Sequence, residues 1–424
     1  MGNQAWVAVA IFILTYVAIV SEKIERTKIA LIGASFILLL QVLSQHEAVA
    51  AVDFNTLGLL IGMMIIVAIS QKTGMFQYIA IKTAKMVKGD PAKIMMVFFL
   101  LTAIASALLD NVTTVLLFTS IIFAITDVLE INPIPFLISE ILAANIGGTA
   151  TLIGDPPNIM IGGATGLSFN DFLANLFAPI LVISIVTCII LYWIYRKELC
   201  VAPEKTADVM KLDENAYLGD RGLLKKSIAV LVTVMIGFAF HQTFNFESAT
   251  IAIAGAAVLL LISGMETDQV LQEIEWTTIF FFIGLFILVG SLEATGVIKV
   301  IAQWTMELTQ GNTVYLHFFL LWLSAIASAF IDNIPFVATM IPLIKAMAEI
   351  GNMDVTSLWW TLSLGACLGG NGTIIGASAN VVVSSIAAAH GRPISFGYYF
   401  KIAFPLMIVS IIISNIYIYL AYLR

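Results

Sequence analysis

The protein is a chain of 424 residues, of which 60% are hydrophobic and only 11% are charged. An average soluble domain carries about 25% charged residues, so this composition excludes an ordinary soluble enzyme. A mean hydropathy of +1.01 and apolar runs along the whole length indicate an all-α polytopic membrane protein that uses the lipid bilayer as its solvent. The net charge of −7 and basic residues confined to a few loops argue against a nucleic-acid partner.

Apolar segments long enough, or nearly long enough, to cross a bilayer predict about ten transmembrane helices. The first of them follows no basic stretch and precedes no cleavage site, so we expect it to be retained and not removed as a signal peptide. The predicted crossings lie near 4–20, 29–43, 56–71, 133–165, 172–195, 226–244, 248–263, 277–292, 357–390 and 396–423, and those at 133–165 and 357–390 are interrupted.

Two further apolar stretches, 92–127 and 313–350, are each broken in the middle by a polar Asp-Asn pair. Each stretch could form two more full helices or one re-entrant hairpin with the pair at its tip. Non-helical backbone is tolerated at membrane depth only where protein or a water-filled cavity satisfies it, which favours hairpins that point into a central site.

The sequence repeats itself with one fixed offset of 222 residues. The Asp-Asn pair, the serine four residues before it, and several glycines all recur at this spacing. Over 143–158 and 365–380, seven of the 16 positions are identical. Because the shared residues are mainly Gly, Ser, Thr, Asn and Asp, common apolar composition does not explain the match. Duplicated binding positions are typical of secondary transporters.

The repeat divides the chain into a first half, 1–195, a charged cytoplasmic linker, 196–225, and a second half, 226–424. Five crossings and one hairpin in each half make the two repeats inverted. This topology collects 17 of the 20 lysines and arginines on the side away from the N-terminus, which identifies that side as cytoplasmic. We therefore expect both termini outside the cytoplasm and the protein in the cell (inner) membrane. Charge alone leaves open the topology with two full helices in place of each hairpin.

Asp110 and Asp332 are acidic residues inside apolar stretches, and such residues are kept in membranes mainly for ion pathways. Ser106 lies one helical turn before Asp110, and Asn111 follows it, so hydroxyl, carboxylate and amide oxygens are available for Na⁺, or the carboxylate for a proton. The alternative is structural, because Asp-Asn at a hairpin tip also caps the helix that follows. The two roles are compatible.

A glycine-rich break interrupts corresponding crossings of both halves, at 147–158 and 369–380. Glycines and Pro156-Pro157 break the helix and free backbone groups toward a cavity, which is a pointer to a transporter binding site. Asp155 precedes a proline and is predicted to cap the following half-helix. The simpler alternative to a binding site is that the glycines only allow close contacts between helices, without a ligand. At the position of Asn145 in the first half, the second half has Cys367. This cysteine could be a soft ligand for trivalent arsenic or a small packing residue.

These residues, Asp110-Asn111-Val112-Thr113-Thr114 with GGTATLIGDPPN at 147–158, resemble the signature of the ion transporter superfamily and, within it, the ArsB/NhaD/P-protein permeases. The resemblance implies two inverted repeats, each with a re-entrant hairpin and a broken helix, in a homodimer with a scaffold and a mobile transport domain. It implies sodium sites at Ser106, Asp110, Asn111 and Gly148, and at Ser328, Asp332, Asn333 and Gly370. The related dicarboxylate carriers have Ser-Asn-Thr at each hairpin tip, whereas this chain has Asp-Asn-Val and Asp-Asn-Ile, which disfavours a carboxylate substrate.

The candidate solute- and ion-binding residues form two matching sets. They are Ser106, Asp110, Asn111, Thr113, Asn145, Gly147, Gly148, Thr151, Asp155 and Asn158 in the first half, and Ser328, Asp332, Asn333, Cys367, Gly369, Gly370, Asn371, Thr373 and Asn380 in the second.

The resemblance favours a non-enzymatic secondary transporter of the ArsB type that exports arsenite, antimonite or a similar small inorganic solute in exchange for protons by an elevator mechanism. Na⁺/H⁺ antiport of the NhaD type is the first alternative, and a sodium-coupled carboxylate carrier is less favoured. We expect no cofactor beyond the coupling ion, H⁺ or Na⁺. An intramembrane aspartyl protease is disfavoured because the sequence has no GxGD element. ATP-driven transport is disfavoured because the sequence has no phosphate-binding loop. A passive channel would be excluded only by the observation of uphill flux. Association with an ATPase subunit is left open.

Overall fold

The computed structural model describes residues 2–21, 23–309 and 312–424, apart from the side chain of Pro203. Over this part of the chain all regular structure is helical. The first half contains α1 Asn3–Val20, α2 Arg26–Leu39, α3 Gln45–Ala51, α4 Phe54–Gln71, α5 Met75–Met86, α6 Pro91–Leu108, α7 Asn111–Leu129, α8 Ile134–Gly148, α9 Pro156–Thr165 and α10 Phe169–Tyr195. The linker contains α11 Pro203–Met210. The second half contains α12 Arg221–Phe240, α13 Ser248–Ser263, α14 Thr267–Gln272, α15 Trp276–Ala294, α16 Val297–Leu308, α17 Thr313–Phe330, α18 Asn333–Gly351, α19 Thr356–Gly369, α20 Ser378–Ala389 and α21 Phe396–Tyr422.

Ten helices of the described chain are long and apolar enough to cross a membrane, which confirms the predicted fold class and the predicted number. The set differs from the expected one. It includes the four hairpin arms α6, α7, α17 and α18, each 18 or 19 residues long. It omits four expected crossings. Helices α2 and α13 are only 14 and 16 residues long and each spans roughly 21 to 24 Å at 1.5 Å per residue, and the two interrupted crossings are each divided into two shorter helices, α8 with α9 and α19 with α20.

Both hairpins and both broken helices are present in the structure. The arms α6 and α7 are separated only by Leu109-Asp110, and α17 and α18 only by Ile331-Asp332. The broken helices are α8 with α9, and α19 with α20, each pair separated by a short segment of turns and bends. The two hairpin tips meet inside the protein, since Asn111 and Asn333 both contact Asp155. Two full crossings would instead place each connection at a membrane face, so the shared centre favours re-entrant hairpins.

The helices pack as two groups. A first group, called here the scaffold group, consists of α1, α2, α4, α12, α13 and α15, with α4 packed on α13 and α2 packed on α15. A second group, called the hairpin group, consists of both hairpins, both broken helices, α10 and α21, with α6 packed on α8 and α17 packed on α19. The 222-residue offset relates the α4–α13 pair to the α15–α2 pair, and the α6–α8 pair to the α17–α19 pair. The packing therefore has the same twofold repeat as the sequence.

The charged linker packs against α5, the short helix that joins the two groups in the first half. The Lys85 ammonium donates to Glu214 at 2.5 Å and to the Leu212 carbonyl at 3.0 Å. The hydrogen bond from Lys85 lowers the pKa of the Glu214 carboxyl. Lys205 pairs with Glu130, and the Gly219 amide donates to the Thr73 carbonyl at 3.1 Å. The linker is therefore tied to one end of the first half.

Candidate functional site

Each hairpin tip uses its aspartate to start the returning helix. Asp110 accepts from the Thr113 backbone amide at 2.8 Å and from the Thr113 hydroxyl, and it precedes the first residue of α7. Asp332 accepts from the Ile334 amide at 3.0 Å at the start of α18. Both carboxylates are therefore helix caps, as the structural alternative predicted, and both still have oxygens close to the centre of the protein.

Four of the five candidate residues that carry a hydroxyl group, all except Thr113, fasten the hairpins to the broken helices. Ser106 and Ser328 donate to the carbonyls of Ala144 and Ala366 at 2.7 and 2.6 Å. Thr151 and Thr373 donate in the opposite direction, to the carbonyls of Ala107 and Ala329 at 2.6 and 2.5 Å. The sequence places Ser106 and Asp110 on the same helix face, where both were expected to bind an ion. The Ser106 hydroxyl instead donates to a backbone carbonyl of α8, which lies directly opposite it.

The glycines of the two breaks allow backbone to approach backbone. A side chain on Gly147 or Gly369 would collide with the backbone of Ala103 or Ala325. A side chain on Gly148 would likewise collide with the Gly154 carbonyl oxygen, whereas one on Gly370 would make a tight contact of 3.1 Å with the Gly376 carbonyl oxygen. Gly370 does not offer a free carbonyl, because that oxygen accepts from Asn380 Nδ2 at 2.7 Å. These glycines therefore set the shape of the centre.

Asp155 lies at the centre of the molecule and is fully buried. Its carboxylate accepts from Asn111 Nδ2 at 3.2 Å and from Asn333 Nδ2 at 3.3 Å to each oxygen. Asp155 stands immediately before α9 as predicted, but its side chain makes no capping hydrogen bond. The prediction of a side-chain cap was wrong, because amides from both hairpin tips bind the carboxylate instead. No ion pair to Asp155 is formed by the residues that the structure describes.

A chain of asparagine amides extends from Asp155 across the twofold repeat. Asn111 also donates to Asn145 Oδ1 at 3.0 Å, and Asn145 donates to Asn371 Oδ1 at 2.9 Å and to Asn380 Oδ1 at 2.8 Å. The Asn371 backbone carbonyl accepts from Tyr399 at 3.1 Å. Asn111 Oδ1 is buried and accepts no hydrogen bond from the described residues, so one hard oxygen at the centre is available as an acceptor or ligand.

Asn158 and Asn380 close the two breaks in equivalent ways. Asn158 Nδ2 donates to the carbonyls of Thr149 and Thr151 at 3.0 and 2.8 Å, and Asn380 Nδ2 bonds the second break likewise. Asn158 Oδ1 accepts from Ser363 at 2.6 Å and from the Cys367 thiol at 3.6 Å. Cys367 is fully buried and acts here as a thiol donor to an amide oxygen.

Sequence reasoning missed Arg26, which lies at the start of α2. Its guanidinium pairs with Asp332 and donates to Ser378 Oγ at 2.8 Å, and Ser378 Oγ donates to Asp332 at 3.0 Å. The repeat carried a signal of this difference, because the position equivalent to Arg26 is Ser248. Asp110 has no such partner in the described chain, so the two hairpin tips differ electrostatically.

Two cavities adjoin the hairpin tips. The larger, of about 360 Å³, is lined by Arg26, Asp332 and Ser378 together with apolar side chains such as Ile19 and Val382. The smaller, of about 20 Å³, is lined by Arg26, Asp110, Ser378 and Glu275 among others. A volume of this second size is about that of one water molecule. Arg26 faces both cavities and so lies between the two acids.

Comparison with known proteins places these features in a family. The CitMHS family model, described as a citrate transporter, matches residues 16–365. An uncharacterized transporter of Mycobacterium tuberculosis is 43% identical over 98% of both chains. The P protein of Homo sapiens is 33% identical over 99% of this chain and 60% of its own length. The crystal structure of the Alcanivorax borkumensis YdaH transporter, 12% identical, superposes over 99% of both chains with a TM-score of 0.59, a likeness of fold.

Proposed function

Because the chain belongs to the citrate transporter family within the ion transporter superfamily, we propose that it is a secondary active transporter coupled to H⁺ or Na⁺. In this proposal it exports a small inorganic solute such as arsenite in exchange for protons, as transporters of the ArsB type do. The protein is integral to a membrane, and we propose the cell membrane, with both termini outside the cytoplasm. The proposed site consists of Asp155, the two hairpin-tip acids and the asparagine amides around them.

The observation that carries the proposal is the fully buried carboxylate of Asp155 without a cationic partner in the described chain. Burying a charge without compensation costs several kcal/mol. Two amide donors reduce that cost but leave the charge itself in place. A cation or proton that binds at Asp155 neutralises the charge, and the unpartnered Asn111 Oδ1 supplies a further oxygen for Na⁺. A site of this kind binds and releases its ion as the conformation changes.

The division into two packing groups supports an elevator mechanism. The site lies mostly on the hairpin group, and Arg26 and Glu275 reach it from the scaffold group. Movement of the hairpin group along the scaffold group would expose Asp155 and its neighbours alternately to the two sides. We propose a homodimer in which the scaffold groups hold the mobile groups in the bilayer.

Hydrogen bonding, more than thiolate ligation, supports arsenite as the solute. Arsenite in its uncharged form carries hydroxyl groups, and the amide oxygens at the centre can accept hydrogen bonds from them, foremost Asn111 Oδ1, which has no partner in the described residues. Cys367 is a single thiol, and the described residues contain no group of three His, Cys, Asp or Glu side chains that could hold a metal ion. The same amides would serve antimonite or another small hydroxylated solute.

Na⁺/H⁺ antiport is the second candidate, and the small cavity at Asp110 favours it. The cavity has room for about one water-sized species. Its lining combines the carboxylates of Asp110 and Glu275 with hydroxyls, which are the hard ligands that alkali cations prefer. Arg26 also borders this cavity, but its charge is paired with Asp332. An antiporter needs a single site that takes either Na⁺ or H⁺, and these carboxylates can take both.

The test is a flux assay on purified protein in vesicles that carry a lumenal pH dye. A pH gradient is imposed, and arsenite, Na⁺, Li⁺, K⁺ and citrate are added in separate experiments. Dissipation of the gradient by arsenite but not by Na⁺ supports the metalloid/proton exchanger. Dissipation by Na⁺ or Li⁺ alone makes the protein a cation antiporter, and dissipation by citrate alone makes it a carboxylate carrier. A flux that never runs uphill contradicts secondary active transport and indicates a channel.

Asp110→Asn is expected to lower coupled flux at least about tenfold without loss of folding. Asparagine caps a helix about as well as aspartate, so the start of α7 is retained. The substitution removes only the negative charge beside the small cavity, where a bound cation loses a charge-assisted contact. The measurement is initial flux in vesicles, with size-exclusion chromatography as the check on folding. Asp90→Asn, the same change at the exposed cap of α6, is the control and should transport normally.

A further inference from the structure

We propose that Arg26 is a fixed cation that displaces the coupling cation from Asp332 when the hairpin group occupies the position seen in this structure. The inference rests on the proposed function, because it assigns a role to one residue within that cycle. Arg26 is here a positioning residue that acts through Asp332, and it belongs to none of the sites predicted from the sequence.

The geometry holds Arg26 on the scaffold group and its partners on the hairpin group. Arg26 is the first residue of α2, and its guanidinium lies 4.9 Å from the centre of the Phe281 ring in α15. Asp332 caps α18, and Ser378 is the first residue of α20. The Arg26 side chain is 28% exposed and that of Asp332 is 13% exposed. The ion pair therefore crosses the boundary between the two groups in a largely desolvated place.

A second contact joins the same elements and fixes their register. The Tyr16 hydroxyl of α1 donates to the Pro335 carbonyl of α18 at 2.7 Å. The hairpin tip of the second half is thus held against α1 and α2 at two points. If the hairpin group moves as the elevator mechanism requires, both contacts break, and Asp332 leaves Arg26.

The first half of the repeat has no equivalent of this arrangement. Ser248 occupies the position of Arg26, and Pro156 occupies the position of Ser378. Asp110 instead takes a hydrogen bond from the Thr113 hydroxyl, and the equivalent of Thr113 is Pro335. One acid of the pair thus forms an ion pair with Arg26, whereas the other is hydrogen-bonded by Thr113 and has Arg26 only across the small cavity.

Competition follows from the charges. Arginine stays protonated under all ordinary conditions, so its charge cannot be removed by a change of pH. Asp332 paired with Arg26 holds a coupling cation less strongly than Asp332 without it, since a second cation beside the guanidinium is repelled. In the position seen here Arg26 promotes release of the coupling cation, and in the other position Asp332 is free to bind one.

The test is the cation dependence of flux in Arg26→Gln. Vesicles are titrated with NaCl at fixed pH and, separately, over a pH series in sodium-free buffer. The half-saturating concentration of the coupling cation should fall about tenfold, because the guanidinium that competes for Asp332 has been removed. Maximal flux should also fall, because the cation then leaves Asp332 more slowly. Arg26→Lys keeps the charge and should keep most of the wild-type behaviour. Lys28→Gln, on the same helix with an exposed side chain, is the control and should change neither value.

The double variant Arg26→Gln with Asp332→Asn separates competition from a structural effect. If Arg26 acts through Asp332, removing the carboxylate as well should abolish the tighter binding seen in Arg26→Gln alone. The proposal is overturned if Arg26→Gln leaves the half-saturating concentration unchanged or raises it, or if the double variant binds as tightly as the single one. A variant that elutes as aggregate is replaced in the titration by Arg26→Lys, whose half-saturating concentration must stay near the wild-type value. A wild-type protein without any cation dependence would overturn the proposed function itself.

Discussion

Asp155→Asn is expected to abolish cation-coupled flux and to leave the helices assembled. The buried carboxylate accepts hydrogen bonds from amides of both hairpin tips, and asparagine has nearly the same shape. The substitution removes a fully buried negative charge that is contacted from both halves. Hydrogen bonds to a charged group contribute about 1.5–3 kcal/mol each. A coupling cation bound at residue 155 would lose a charge-assisted contact of this size, and an amide cannot take up a proton in its place. Coupled flux therefore falls by at least about tenfold, at about 1.4 kcal/mol for each factor of ten.

The measurement is initial flux under an imposed cation gradient, compared with the melting temperature of the purified protein. Asp90→Asn serves again as the matched control, because Asp90 is an exposed helix cap paired with Lys93. Passive leak of the solute should persist at the level of empty vesicles. Coupled flux within a factor of two or so of wild type would mean that Asp155 has only a structural role, and the proposed site would then be wrong.

Gly154→Ala is expected to destabilise the first break strongly. A methyl group on Gly154 would lie 2.5 Å from the carbonyl oxygens of both Gly148 and Ser106. Both are backbone atoms of the hairpin and of α8, so neither can rotate away. Overpacking of this kind costs roughly 1–3 kcal/mol or more, and the melting temperature of a chain of this length should fall by at least about 1–3 °C. Gly376→Ala in the second half, 2.6 Å from the Gly370 carbonyl oxygen, should behave similarly.

Gly397→Ala is the matched control for this pair. Gly397 lies in the first turn of α21 with no atom within 4 Å of an added methyl group. Alanine has the higher helix propensity, so the melting temperature should stay unchanged or rise slightly. Equal melting temperatures for Gly154→Ala and Gly397→Ala would contradict the close approach of the hairpin to the broken helix.

The positions of the repeat elements could be predicted from the sequence because they depend on local patterns. Apolar runs, a polar pair within each hairpin and a glycine-rich break in each half indicate helices and interruptions wherever they occur. The constant offset of 222 residues paired the two halves without any coordinates. The hairpins of the structure, α6 with α7 and α17 with α18, fall where the sequence predicted them.

The roles of individual polar side chains could not be predicted in this way. Ser106 was expected to join Asp110 as a ligand, yet its hydroxyl bonds Ala144, 38 residues away. Asp155 was expected to cap α9, yet its carboxylate binds amides from two distant hairpin tips. A hydrogen bond is formed with whichever partner the packing brings within about 3 Å, and that partner lies on another helix in both cases.

The sequence by itself determined the class of the protein: a helical membrane protein with two related halves, intramembrane acids and a broken helix in each half. Only the tertiary structure decided which charges meet, because the pair of Arg26 and Asp332 joins residues 306 positions apart. Sequence placed Arg26 in a basic loop next to a crossing, where a solvated cation is the ordinary expectation. Packing of α2 on α15, which also contacts α18 of the second hairpin, placed Arg26 between two acids.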